Sequence, residues 1–248
     1  MKNPSQNSLF STDPRDRLAV ALDVPDAKVA FDLADQLEGS CRWLKVGMEL
    51  YYAAGNALVE DLRRRGFRIF LDLKLHDIPN TVAGAVRTVA ALGAELLTVH
   101  GSGGRAMLQA AADAAAQTSG APRLIAVTVL TSMDQGELTS VGINSSPAEQ
   151  ALRLARLAKD SGVSGMVCSP EEAASLRKEI GPEAILVVPG IRPPGAAVDD
   201  QRRIAGPGEA ISRGASLLVV GRPITRAEDA AKAARAIVDA IVQAETTA

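Results

Sequence analysis

Aromatic side chains are scarce: one Trp, two Tyr and four Phe make up 3% of 248 residues. A core must therefore be built from Ala, Leu, Val and Ile, and a hydrophobic content of 47% supplies them. Histidine is nearly missing too. His76 and His100 are the two present, and neither has the H-x-x-x-H spacing of an imidazole metal site. The two cysteines, Cys41 and Cys168, lie in or beside apolar strand-like runs without metal-ligand spacing. They read as buried thiols, not as a disulfide or a nucleophile. Neither sign of charge dominates. Lys+Arg 27 against Asp+Glu 29 leaves a formal net charge of −2, which gives no electrostatic footprint for nucleic acid or an anionic membrane. No apolar run approaches the roughly 20 residues of a membrane span. The polar stretch Met1 to Pro14 has no signal-like apolar segment and reads as a flexible arm. The expected location is the cytoplasm.

What is present is a recurrent pattern. Short apolar runs occur at Leu18–Asp23, Trp43–Gly47, Phe67–Leu75, Glu95–His100, Leu124–Leu130, Gly165–Cys168, Ala184–Val188 and Ser216–Val220. Helical periodicity falls between most of them, over Ala27–Leu37, Leu50–Arg65, Pro79–Leu92 and Arg105–Gln117. Ser146-Pro147-Ala148-Glu149 is a capping box with proline at the first helical position, and Ser169-Pro170-Glu171-Glu172 repeats it. Thr225-Arg226-Ala227-Glu228 predicts the start of the last helix. Near-continuous apolar strands belong to a parallel sheet covered on both faces. No charge run or Pro/Ser-rich linker divides the chain. Residues 15–248 therefore read as one α/β domain, a (β/α)8 TIM barrel of ordinary size. An open doubly wound sheet is the second reading, weakened by the lack of an early G-x-G-x-x-G.

The third run carries the chemistry. In Phe70-Leu71-Asp72-Leu73-Lys74-Leu75-His76-Asp77-Ile78-Pro79-Asn80-Thr81, strand alternation puts Phe70, Asp72 and Lys74 on one face and Ile69, Leu71, Leu73 and Leu75 on the other. An acid and an ammonium thus project together from an apolar strand end, with Asp77 in the loop beyond. Burying such a pair is costly, and at a strand-to-helix junction D-x-K-x-x-D points to catalysis more than to a structural ion pair. Polar residues gather at the other strand ends as well: Asp23, Lys45, His100, Thr131-Ser132, Gly190-Ile191-Arg192 and Gly221-Arg222. In a barrel these ends form one rim. Two connections, Thr131–Ser145 and Ile191–Gly206, are long enough to be lids or binding loops. The loops after strands seven and eight hold Gly190, Arg192, Gln201, Gly221 and Arg222. Glycine backbone and arginine forks in that position predict a phosphate site, hence a small phosphorylated substrate. Trp43 and Met48 read as packing residues.

Asp72-Leu73-Lys74-Leu75-His76-Asp77-Ile78-Pro79-Asn80-Thr81 resembles the signature of the orotidine 5′-phosphate decarboxylase family. The likeness extends to Ala21-Leu22-Asp23, Leu44-Lys45-Val46-Gly47, Val127-Thr128-Val129-Leu130-Thr131-Ser132, Val188-Pro189-Gly190-Ile191-Arg192, Gln201 and Val220-Gly221-Arg222. It follows the single-domain bacterial form. The resemblance implies conversion of orotidine 5′-phosphate to UMP and CO2 by a barrel homodimer with no metal or organic cofactor. It implies a charge network of Lys45, Asp72, Lys74 and Asp77, with Lys74 as proton donor and Asp77 and Thr81 reaching the partner subunit's site. Asp23 and Lys45 are implied at the ribose, Thr131 and Ser132 at the pyrimidine, and Gln201, Gly221, Arg222 and nearby Arg192 at the phosphate. Two other readings stay open: a Mg²⁺-dependent sugar-phosphate decarboxylase or aldolase on the same scaffold, and a non-catalytic phosphate-metabolite binding protein.

Overall fold

The computed structural model describes residues 9–193 and 203–247. Eight strands alternate with helices: β1 (Leu18–Leu22), α1 (Ala27–Leu37), β2 (Trp43–Gly47), α2 (Met48–Arg64), β3 (Arg68–Leu75), α3 (Pro79–Ala90), β4 (Leu96–His100), α4 (Gly104–Gln117), β5 (Arg123–Val127), α5 (Gln135–Ser140), α6 (Pro147–Asp160), β6 (Gly165–Val167), α7 (Ala173–Ile180), β7 (Ile185–Val188), α8 (Pro207–Ser212), β8 (Leu217–Val220), α9 (Arg222–Thr225) and α10 (Ala230–Thr247). Every strand pairs in parallel with its sequence neighbours, and β1 pairs with β8, closing the barrel. The TIM-barrel expectation holds, and the open sheet is excluded by that last pairing.

Strand alternation divides the core in two. Ala19, Ala21, Trp43, Phe70, Leu96, Ile125, Ile185, Val187, Leu217 and Val219 fill the barrel interior. Leu18, Val20, Leu22, Leu44, Ile69, Leu71, Leu97 and Val99 point outward against the helices. Each strand thus needs apolar residues at both parities, which is why the runs are continuous. The inward series continues toward the strand C-termini as Asp23, Lys45, Asp72, Thr98 and His100, so the interior turns polar only at its upper mouth.

Several local expectations are refined. Ser146 and Glu149 form the reciprocal capping box at the head of α6. At Ser169 only half of the box exists: its N–H donates to Glu172 at 2.9 Å, and α7 begins a turn later at Ala173. The last helix begins at Ala230, where Asp229 accepts from the Lys232 N–H, rather than at Thr225. Thr225 instead closes the short α9. The helix predicted over Leu50–Arg65 is interrupted at Gly55, which takes φ 64°. Finally, the arm expected over residues 1–14 is packed from Leu9 onward. Leu9 and Phe10 cover the lower end of the interior core, and Arg68 lies 4.4 Å from the Trp43 ring centroid while donating to the Leu9 carbonyl. Two apolar side chains in a polar stretch thus pack against the interior cluster.

Candidate active site

The upper mouth opens into a cavity of about 630 Å³, a size that suits a small-molecule ligand. Its floor is apolar, with Ala21, Phe70, Val127, Val167, Val187 and Val219. Its charged wall is contributed by β1, β2 and β3. Lys45 Nζ lies 2.9 Å from Asp23 Oδ1 and 3.6 Å from Asp72 Oδ2. Lys74 Nζ lies 2.9 Å from the same Asp72 oxygen. The chain therefore runs Asp23–Lys45–Asp72–Lys74, alternating in sign and joined by direct contacts.

These groups differ in solvation. The Asp23 side chain is 62% exposed, whereas those of Lys45 and Asp72 are 9% and 15% exposed. The outer Asp23 contact is correspondingly screened and contributes little to stability, whereas the Asp72 contacts operate in a drier medium. Burial by itself would raise the Asp72 carboxyl. The two ammoniums, helped by hydrogen bonds from Lys74 and Thr98, outweigh that and hold it below its ordinary value. Asp72 is thus a fixed negative charge throughout the neutral range.

Two backbone features make the array possible. A Cβ on Gly47 would sit 3.1 Å from both Asp23 Oδ1 and Lys45 Nζ, so a side chain there would crowd the ion pair. Lys74 has φ 49°, a left-handed conformation that a non-glycine residue adopts at a cost of about 1–3 kcal/mol. It occurs where β3 leaves its register with β4: Leu71 pairs with Leu97, and the next pair is Leu75 with Val99. The intervening Asp72-Leu73-Lys74 bulges from the ladder, and the Lys74 N–H donates instead to Thr98 Oγ1 at 2.8 Å.

The connections after β7 and β8 give the cavity a wall rich in guanidinium groups. Arg192, Arg222 and Arg226 line it together with Gly190 and Gly221. Gly190 takes φ 77° at the end of β7, a conformation glycine adopts at least cost. The stem of the following loop is fastened, since Arg192 N–H donates to Ala205 and Ala205 N–H to Gly190. The buried Arg203 pairs with Glu172 and donates to the Leu130 carbonyl at 2.8 Å. One guanidinium therefore joins the stems of the connections after β5, β6 and β7. Burial raises the Glu172 carboxyl against the pull of Arg203.

With this geometry in view, the profile of the orotidine 5′-phosphate decarboxylase / HUMPS family matches residues 16–237. The chain belongs to that family. The orotidine 5′-phosphate decarboxylase of Halorhodospira halophila is 54% identical over 228 residues, covering 92% of this chain and 97% of that protein. The protein of the same name from Neisseria gonorrhoeae is 47% identical, covering 92% and 93%. The crystal structure of orotidine 5′-phosphate decarboxylase from Lactobacillus acidophilus superposes with a TM-score of 0.80 at 40% identity, covering 90% of this chain and 98% of that one.

Of the residues singled out in the sequence, Asp23, Lys45, Asp72, Lys74, Thr131, Arg192, Gly221 and Arg222 line this one cavity. Ser132, next to Thr131, is exposed and outside the lining. Asp77 and Thr81 are also exposed and outside it; the Asp77 carboxylate accepts from the Ile78 N–H. Gln201 lies outside the described residues. Met48, read as a packing residue, is 42% exposed and lines the cavity, because the chain turns from β2 into α2 at the rim. Glu49, Thr225 and Arg226 line it too and were not singled out. Thr98 was missed as well, although its place on the inward parity of β4, between Leu96 and His100, was a usable signal. His76 and His100 stack at 5.0 Å between centroids. Burial, together with His76 and Lys74, lowers the His100 imidazole. Cys41 and Cys168 are buried free thiols. Burial pushes Cys41 up to about 12.

Proposed function

We propose that this chain decarboxylates orotidine 5′-phosphate to UMP and CO2, the last step of de novo pyrimidine synthesis, in the cytoplasm and without a cofactor. The observation that carries the reading is the meeting, in one cavity, of the Lys45–Asp72–Lys74 array with the arginine-lined wall of Arg192 and Arg222. The names of the relatives support the same substrate.

In this reading the phosphate lies against Gly221, Arg222 and Gln201, with Arg192 close by, and the ribose hydroxyls meet Asp23 and Lys45. Thr131 faces the pyrimidine from the wall, and Ser132 joins it when the connection after β5 folds inward. The bond from C6 to the carboxylate breaks, CO2 leaves, and the electron pair stays on C6 in the plane of the ring. The ring π system delocalises that pair poorly, so fixed charge must do what an electron sink does elsewhere. The Lys74 ammonium stabilises the developing carbanion and passes its proton to C6. The neutral amine then regains a proton from water.

Asp72 faces the departing carboxylate. Two like charges about 4 Å apart repel by roughly 4 kcal/mol at an effective dielectric near 20. Enzymes lower barriers by roughly 8–23 kcal/mol, so repulsion is the smaller contribution. Stabilisation by Lys74 carries more, and phosphate binding supplies remote energy to order the loops and align the ring.

Asp77 and Thr81 complete the site from a second subunit of a homodimer. In support, both are exposed beside Ile78, which is 67% exposed, and Tyr52 at the neighbouring rim is 78% exposed. Large exposed apolar groups beside exposed polar ones fit a covered surface.

A Mg²⁺-dependent sugar-phosphate reaction fits the donor set poorly, because Asp23 and Asp72 are each held by an ammonium. The deciding experiment follows orotidine 5′-phosphate absorbance with purified protein in EDTA. Steady conversion to UMP supports the proposal. Turnover that needs added Mg²⁺ overturns it, as does tight UMP binding without release of CO2.

A further inference from the structure

We propose that Thr98 is a positioning residue: its single hydroxyl sets both the orientation of the Asp72 carboxylate and the backbone of Lys74. This inference rests on the decarboxylase reading for its kinetic consequence, though not for its structural one.

Thr98 lies in the middle of β4 and is fully buried. Its Oγ1 donates to Asp72 Oδ1 at 3.1 Å and accepts the Lys74 N–H at 2.8 Å. A hydroxyl has one proton and two lone pairs, so both roles are filled at once without conflict. Each role answers a need created by the bulge in β3. Between the Leu71–Leu97 and Leu75–Val99 pairs, β3 has three residues where β4 has one, Thr98. The Lys74 amide is thereby removed from the ladder, and the threonine side chain supplies the acceptor that a strand would have supplied. The same contact helps hold Lys74 at φ 49°, the conformation from which Nζ reaches back 2.9 Å to Asp72.

The carboxylate is fixed from the other side. Thr98 occupies Oδ1, leaving Oδ2 as the oxygen that faces both Lys74 and Lys45. Without a donor on Oδ1, the carboxylate can rotate about its terminal torsion, which is broad and roughly two-fold. Both ammonium contacts then loosen together. A valine at this position has the shape of threonine without the hydroxyl, so it removes both contacts while keeping the volume. Serine keeps the hydroxyl and removes only the methyl.

The test compares Thr98→Val and Thr98→Ser in the full-length protein by steady-state kinetics and by amide hydrogen exchange at Lys74. Thr98→Val is expected to lower kcat by about 10- to 100-fold, the scale of a misplaced catalytic group, with a much smaller change in KM. Thr98→Ser is expected to restore kcat to within about three-fold of the parent. In an Asp72→Asn background the valine substitution should cost far less, because the two residues act as one unit. The Lys74 amide should exchange faster in Thr98→Val than in Thr98→Ser. If the valine protein does not fold, Thr98→Cys, with its weak thiol donor and acceptor, replaces it under the same expectations. Unchanged kcat in Thr98→Val, an equal loss in Thr98→Ser, or unaltered Lys74 exchange overturns the proposal. A parent protein that turns over no orotidine 5′-phosphate defeats the functional reading instead, and the exchange measurement still decides the role of Thr98.

Discussion

Lys74 is held by three constraints of different origin: a left-handed backbone, an amide bond to a side chain on the next strand, and an acid 2.9 Å from its ammonium. Asp72 is the hinge of this arrangement, since one of its oxygens faces two ammoniums. Its lowered carboxyl has a consequence for stability. A carboxyl whose folded-state value lies below its unfolded value stabilises the fold above the unfolded value and loses that contribution as pH falls through the folded one. Replacing Asp72 by Asn should therefore destabilise the protein by a constant amount at neutral pH. The gap between the two proteins should close below the ordinary carboxyl value of 3.8. Urea unfolding of both proteins across the acid range checks this; a gap that widens on acidification contradicts it. Gly47 gives a second test at this scale. Gly47→Ala places a methyl against Asp23 and Lys45, so it should raise KM and reduce kcat in steady-state assays while the melting temperature changes little.

Elements bring these residues together by repetition. Each strand ends at the same rim, so residues far apart in sequence converge on one cavity with no long-range signal beyond strand order. That is why most of the candidate site was legible: Asp23, Thr131 and Arg222 end or follow an apolar run, and Lys45 and Asp72 are charged residues set inside one. For Thr98 the inward parity of β4 gave its direction, whereas its role stayed hidden until the bulge opposite it was seen. The bulge itself was hidden, since strict alternation places Lys74 on the correct face without revealing its left-handed backbone. The arm was misjudged over Leu9 and Phe10 because its polar composition outweighed two apolar residues that pack against the barrel's interior core. At the rim, Arg203 and Glu172 are buried partners that bind three connections together. Arg203→Leu should cost about 3–5 kcal/mol, because it strands a buried carboxylate. The Glu172→Gln/Arg203→Leu double substitution should cost less than Arg203→Leu alone. Chemical denaturation of all three proteins measures the difference, and simple additivity would show that the two side chains act independently.

At the scale of the whole molecule, the proposed function assigns the reacting carbon to the wall built by β1, β2 and β3 and the phosphate to the arginines that follow β7 and β8. The two functions should be separable. Arg222→Ala should lower kcat/KM for orotidine 5′-phosphate by about 10- to 100-fold, the worth of one charge-assisted hydrogen bond, and scarcely affect the bare nucleoside. Equal losses on both substrates would remove the phosphate contact from the account. The proposed homodimer is tested by mixing inactive Lys74→Ala and Asp77→Ala proteins. Hybrid dimers should regain activity at the sites that carry neither substitution, and no recovery despite proven subunit exchange contradicts a shared site.

The most direct test of the whole account is the turnover of orotidine 5′-phosphate by the parent protein and by Lys74→Ala, both in EDTA and both verified as folded by circular dichroism. The account predicts brisk conversion to UMP by the parent and a loss of at least about 10³-fold in kcat on removing the ammonium that stabilises and protonates C6. A Lys74→Ala protein with near-parental kcat would contradict it.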